Sequence, residues 1–97
     1  MRFRDYETMY IVTPDLGGES IRALAAKYLE LINELGGDVT SVEDWGQRRF
    51  AYEIDDYTEG HYLIMQFSGN EEITQELDRR MKLDDNIIRM MTVRQGD

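Results

Sequence analysis

Apolar residues recur along the chain with two periods. Ile21, Leu24, Ala25, Tyr28, Leu31, Ile32 and Leu35 fall three or four apart, which makes one stripe of a helix between the pairs Gly17-Gly18 and Gly36-Gly37. The second glycine pair suits the left-handed turn that ends a helix. A second helix is predicted from about Asn70, a good N-cap, with Glu71 and Glu72 in the first turn, where the helix dipole favours acids. Ile73, Leu77 and Met81 form its narrow stripe. Arg79, Arg80 and Lys82 crowd its last turn, and Asp84-Asp85-Asn86 ends it. Elsewhere the period is two. Residues 3–12 put Tyr6, Thr8, Tyr10 and Val12 on one face. Residues 38–45 and 47–54 read as one long strand interrupted at Gly46, a bulge or bend. Residues 55–60 read as a polar turn, and 61–68 and 87–95 as the remaining strands.

The order is strand, helix, strand, strand, helix, strand. Right-handed crossovers then give an α+β, ferredoxin-like split βαβ sandwich. Its four antiparallel strands are expected in the order 4-1-3-2 with both helices on one face, as a single domain over residues 1–97. Leu24, Tyr28, Leu35, Leu63, Met65, Phe67, Leu77 and Met90 are expected to share its core. This topology hosts many unrelated activities and names none.

Two helices cover only one face of such a sheet. The other face should carry Glu7, Met9 and Ile11; Tyr62, Ile64 and Gln66; and Arg89, Met91 and Val93. Met9, Ile11, Tyr62, Ile64, Met91 and Val93 are apolar or aromatic and lie on adjacent strands. They are either scattered surface residues, which are normal, or a patch that a protein partner covers.

Composition narrows the field. The chain has 97 residues, 20 Asp and Glu against 11 Lys and Arg, and a formal charge of −9. That argues against a generally basic nucleic-acid binder. Without cysteine there is no disulfide scaffold, Cys-ligated metal or thiol nucleophile, and the single His61 excludes a His-pair metal site. No cofactor is expected. No apolar run approaches the roughly 18 residues of a membrane span, and the N-terminus lacks an apolar leader segment. A cytoplasmic protein is the expectation.

Asp55-Asp56, Glu71-Glu72 and Asp84-Asp85 look like carboxylate pairs. Adjacent residues do not converge on one site, so turns and helix starts explain them better than acid–base chemistry. No glycine-rich phosphate loop is present. Basic charge is scarce but clustered. Residues 13–46 hold seven acids and two bases, whereas 47–52 hold Arg48 and Arg49 and no acid. Trp45, Phe50 and Tyr52 interleave with these arginines. Arginine for phosphate plus aromatics for stacking suits RNA. A twisted hairpin with arginines in solvent and aromatics in the core would produce the same pattern. Arg2 and Arg4 open strand one, and Arg89 and Arg94 lie on strand four. The segment 60–67 lacks the basic-Gly-aromatic pattern of the RNA-recognition motif.

Several segments, in order, resemble the bacterial small-subunit ribosomal protein S-six family. They are Arg4-Asp5-Tyr6-Glu7, Pro14-Asp15, Gly36-Gly37, residues 43–54 (EDWGQRRFAYEI), Gly60-His61-Tyr62, Glu76-Leu77-Asp78-Arg79 and residues 84–89 (DDNIIR). The resemblance implies a ferredoxin-like fold and no catalysis. It implies a structural role in the small ribosomal subunit, on the central domain of small-subunit rRNA, together with ribosomal protein S-eighteen, a small basic protein. By motif matching, Arg2, Tyr6, residues 45–52, Tyr62 and Arg89 fall where the family meets RNA or that partner; the expected rRNA contacts are Arg2, Tyr6, Trp45, Arg48, Arg49, Tyr52 and Arg89, and the expected partner seat is Met9, Ile11, Tyr62, Ile64, Met91 and Val93. The turn holds Asp55 and Asp56 where some members hold Lys. Neither a membrane nor a small-molecule substrate is expected. The competing function is a small-ligand-sensing ferredoxin-like module, homodimeric through its sheet. A small phosphatase is a third reading, for which convergent groups are missing.

Overall fold

A computed structural model describes residues 2–96 of the chain. The elements are β1 (Arg4–Val12), α1 (Gly18–Glu34), β2 (Asp38–Ile54), β3 (Tyr57–Gly69), α2 (Glu71–Lys82) and β4 (Ile87–Arg94). The sheet order is β2-β3-β1-β4, and the pairings β1–β3, β1–β4 and β2–β3 are all antiparallel. This is the ferredoxin-like order expected from the sequence.

The helices end where their sequences require. After α1 the Gly36 amide donates to the Asn33 carbonyl at 3.1 Å and the Gly37 amide to the Ile32 carbonyl at 2.9 Å. Gly36 takes φ of +96°, so these two bonds close the glycine cap through a left-handed residue. At the start of α2 the Asn70 side chain accepts from the Ile73 amide at 3.0 Å. Ile21, Leu24, Tyr28, Leu31 and Ile32 of α1 and Ile73, Leu77 and Met81 of α2 pack on Tyr6, Tyr10, Val12, Leu63, Met65 and Phe67 of the sheet. Met90 lies at the margin of this core. Leu35 does not join it. It caps α1 and stays 39% exposed, because the helical stripe stops one residue earlier.

The hairpin differs from the polar loop expected at 55–60. The turn is only Asp55-Asp56, with Ile54 paired to Tyr57. Both aspartates have positive φ, 48° and 69°, the sign a two-residue hairpin turn of the primed kind needs and Asp tolerates. Tyr57 and Thr58, good strand formers, therefore extend β3 backwards. The ladder between β1 and β3 stops at Val12 opposite His61. Residues 48–54 and 57–60 thus run on as a two-stranded arm, and the molecule reaches 40 Å in its longest dimension.

Candidate nucleic-acid and partner interface

The base of the arm is set by Gly46. It has φ of +77°, and the β2–β3 register shifts between Asp44 and Gly46. This is the irregularity expected there. Asp44 holds it: one carboxylate oxygen accepts from the Gly46 amide at 2.8 Å and from His61 Nε2 at 2.5 Å. His61 thus ties the bulge to β3. An Asp two residues before a glycine is an Asx-turn signal, so this pair was accessible to sequence reading but missed.

Around the bulge the side chains interlock. The Trp45 indole Nε1 donates to Glu43 at 3.1 Å. Arg48 Nε donates to the Trp45 carbonyl at 3.2 Å, and its guanidinium lies 5.9 Å from the indole centroid. Trp45, Arg48 and Arg49 are all exposed. Register separates the two arginines. Arg48 pairs with Gly60 and Arg49 with Glu59, so they occupy opposite faces of the arm.

Gly60 fixes how the arm meets the sheet. A Cβ there would stand 2.4 Å from Ile11 Cγ2, 3.0 Å from Phe50 Cζ and 3.2 Å from the Val12 carbonyl oxygen. Only a glycine admits Phe50 and Ile11 so close together. The Phe50 ring then meets Tyr62 edge-on at 6.3 Å. Beyond Phe50 the ladder breaks again. Between the pairs Arg49–Glu59 and Ile54–Tyr57, β2 has four residues, 50–53, and β3 only Thr58. The excess pushes Ala51, Tyr52 and Glu53 into solvent, with Tyr52 78% exposed. Of the two readings left open for the hairpin's aromatics, core burial fits only the half-buried Phe50, while Tyr52 is in solvent.

On the open face, register lines up Glu43-Ile64-Met9-Met91, Gly46-Tyr62-Ile11-Arg89 and Ser41-Gln66-Glu7-Val93 across the sheet. Met9, Ile11, Tyr62, Ile64, Met91 and Val93 are therefore contiguous. They are not equally accessible. Ile64 and Ile11 are 4% and 3% exposed, Met9 and Tyr62 are half-buried, and Met91 and Val93 are exposed. The middle of the strip is closed by its own neighbours, and its accessible part lies on β4.

The remaining candidates are dispersed. Arg89 is exposed at the β4 end of the row that starts at Gly46. Arg2 precedes β1, at the opposite end of the sheet from the arm. Tyr6, expected on the rRNA side, is buried. Its ring stacks on Phe67 at 5.6 Å inside the helix-covered core, the face to which its alternation with Thr8 and Tyr10 assigns it.

Charges elsewhere are structural in geometry. Tyr28 donates its hydroxyl to Asp84 at 2.5 Å, and Lys27 reaches the same oxygen at 3.4 Å. Burial, then this hydrogen bond, pushes the Tyr28 hydroxyl well above the usual tyrosine range. Burial alone would raise Asp84, but the Tyr28 hydroxyl, the Asn86 amide and Lys27 hold its carboxyl below the usual range. Hydrogen bonds from Arg79 and Arg80 bring Glu76 down to about 2. A concavity of about 390 Å³ lies between α2 and β4 and is lined by Thr74, Gln75, Asp78, Lys82, Thr92 and Arg94 among others. Among the described residues, no three His, Cys, Asp or Glu side chains gather as metal ligands do, and no helix is long and apolar enough to cross a membrane.

The family described as Ribosomal protein S6 matches residues 5–94, which takes in every element of this fold but the first residue of β1. The chain belongs to that family. Among its relatives, the small ribosomal subunit protein bS6 of Desulforamulus reducens is 44% identical over 94 residues, covering 97% of this chain and 99% of that one. The bS6 protein of Citrifermentans bemidjiense is 46% identical over 91 residues, covering 94% of this chain and 68% of its own length. The crystal structure of 30S ribosomal protein S6 from Thermotoga maritima superposes with a TM-score of 0.91 at 34% identity, covering 97% of this chain and 89% of that one. The C-terminal domain of the MgtC protein from Mycobacterium tuberculosis shares the fold alone. It is 8% identical with a TM-score of 0.67, over 96% of this chain and 88% of that one. The fold therefore names no function by itself.

Proposed function

We propose that this S6-family chain is a structural, non-catalytic constituent of the small ribosomal subunit in the bacterial cytoplasm. It binds the central domain of small-subunit rRNA together with ribosomal protein S-eighteen. The observation that carries the reading is the arm. It projects Trp45, Arg48, Arg49 and Tyr52 from a chain whose net charge is −9. Arg48 and Arg49 on opposite faces suit a groove or junction in RNA better than a flat surface, because each meets phosphate on its own side. Arg2 and Arg89 are secondary phosphate contacts at the sheet's margins. At a Debye length of about 8 Å, such local arginines act despite distant acids.

The partner seat is the open face. Met91 and Val93 make the contact, Met9 and Tyr62 flank it, and Ile11 and Ile64 form its floor. Glu7 at the rim attracts a basic partner, and an apolar centre with a charged rim is ordinary interface construction. The partner supplies the positive charge that an acidic chain lacks.

Reconstitution tests both halves. The chain, S-eighteen and a transcript of the rRNA central domain should form a ternary complex, and a tagged chain expressed in a bacterium should sediment with the small subunit. Met91→Asp should fold normally and weaken S-eighteen binding at least tenfold, by placing a charge in a desolvated contact. Ile64→Asp is the wrong variant for this purpose, because a charge at so buried a position also damages the fold. Absence of the chain from small subunits would contradict the reading. Undiminished partner binding by Met91→Asp would move the seat elsewhere.

A further inference from the structure

Tyr52 stands apart from the other aromatic residues of the chain. Its 78% exposure exceeds that of Trp45, at 50%. Trp45 is also engaged, by Glu43 at its indole nitrogen and by the Arg48 guanidinium at 5.9 Å from its ring. Neither the ring nor the hydroxyl of Tyr52 has a partner among the described residues. The exposure is built by the backbone. Phe50, two residues earlier, is anchored over Gly60 and against Tyr62, and the four-against-one mismatch then lifts Tyr52 out of the ladder. An anchored residue followed by a projected aromatic holds a flat π surface in a fixed place.

Charge along the arm says how that surface would be used. Arg48 and Arg49 lie behind Tyr52, toward the sheet, whereas Glu53, Asp55 and Asp56 lie ahead of it at the tip. A phosphate is repelled from the tip and drawn toward the base. A neutral, flat group is what fits between. We propose that Tyr52 is a stacking platform for one unpaired nucleobase of the rRNA, with that nucleotide's phosphate turned back toward the base of the arm, where one of the two arginines meets it on its own face. This rests on the rRNA-binding reading above and adds to it a requirement for a single-stranded or bulged nucleotide at the arm. Duplex RNA offers no free base face to an inserted ring.

The test uses the full chain, S-eighteen and the central-domain transcript, titrated at several salt concentrations. Tyr52→Leu removes the π face and should weaken rRNA binding about tenfold. Tyr52→Phe keeps the face and should stay within about twofold of the parent. Because a neutral side chain releases no counterions, the slope of log K against log salt should be unchanged in both variants. Parent-like binding by Tyr52→Leu, with the parent itself binding, would overturn the platform and leave the rRNA reading intact. Loss of S-eighteen binding by Tyr52→Leu without RNA would assign the ring to the protein partner and overturn it too. If the parent does not bind the transcript, the rRNA reading fails and the platform with it.

Discussion

Two sets of aromatic side chains divide this molecule. Tyr6, Tyr10, Tyr28 and Phe67 lie between sheet and helices, with Tyr10 and Tyr28 in edge-on contact at 6.0 Å. Trp45 and Tyr52 lie in solvent on the arm. Tyrosine occurs in both sets, so residue type alone does not decide burial. What separates them is backbone irregularity. Along β1 the ladder from Arg4 to Ile11 runs without a shift, whereas β2 slips against β3 between Val39 and Ser41, between Asp44 and Gly46 and between Arg49 and Ile54. The regular β1 ladder keeps Tyr6 and Tyr10 in the core, and the two later slips of β2 flank Trp45 and Tyr52, which are presented to solvent.

That contrast can be broken by mutation, starting where the effect is largest. Leu77 is fully buried, and Leu77→Ala should cost about 2–5 kcal/mol in urea denaturation. A cost below about 0.5 kcal/mol would mean the helix-covered face is not the centre of stability. Next comes Tyr28→Phe, which strips the hydroxyl from buried Asp84 and should cost about 1.5–3 kcal/mol, the range for a hydrogen bond to a charged group. Its pH dependence sharpens the case. Burial and the Asp84 bond raise the folded hydroxyl above its ordinary value of 10.0, so an unfolded tyrosine loses its proton first. The stability is therefore intact below pH 10 and falls as pH rises beyond it. Tyr28→Phe should flatten that alkaline decline. Equal slopes in the two proteins would remove Tyr28 from the account.

Gly60→Ala tests the joint between the two regions. Its methyl group would meet Ile11 and Phe50 too closely, and overpacking of this kind costs about 1–3 kcal/mol. The arm should also lose its fixed direction, weakening rRNA binding beyond what stability explains. Smallest of all, Arg48→Ala, Arg49→Ala and Tyr52→Leu should each change folding stability by less than about 0.5 kcal/mol. A larger effect from any of them would join the arm to the core.

The same contrast explains what was legible in the sequence. The α1 stripe, the Gly36-Gly37 cap, the Asn70 cap and the alternation of β1 are local regularities, and each stands where the pattern put it. Leu35 misled because a stripe does not mark its own last member. The turn misled because five polar residues in a row at 55–59 hide the fact that two positive-φ aspartates complete it. On the open face, period two identified the six strip residues but not their exposure. Ile11 is closed in where Gly60 admits it beside Phe50, a tertiary approach that no local pattern reports. For Arg48 and Arg49, adjacency in a strand already implies opposite faces, a consequence the motif reading passed over. Tyr52 was a candidate by composition, but its projection depends on a register mismatch that no local pattern reports.

The central claim is that the arm binds rRNA while the helix-covered face folds the chain. Its most direct test is the salt dependence of binding to the central-domain transcript, in the presence of S-eighteen, by the parent and by the Arg48→Ala/Arg49→Ala double variant. Each lost phosphate contact should reduce the slope of log K against log salt by about 0.7–0.9, so a loss of about 1.4–1.8 is expected with an unchanged denaturation midpoint. An unchanged slope, or a slope that changes only because the variant has unfolded, would contradict the division of labour between arm and core.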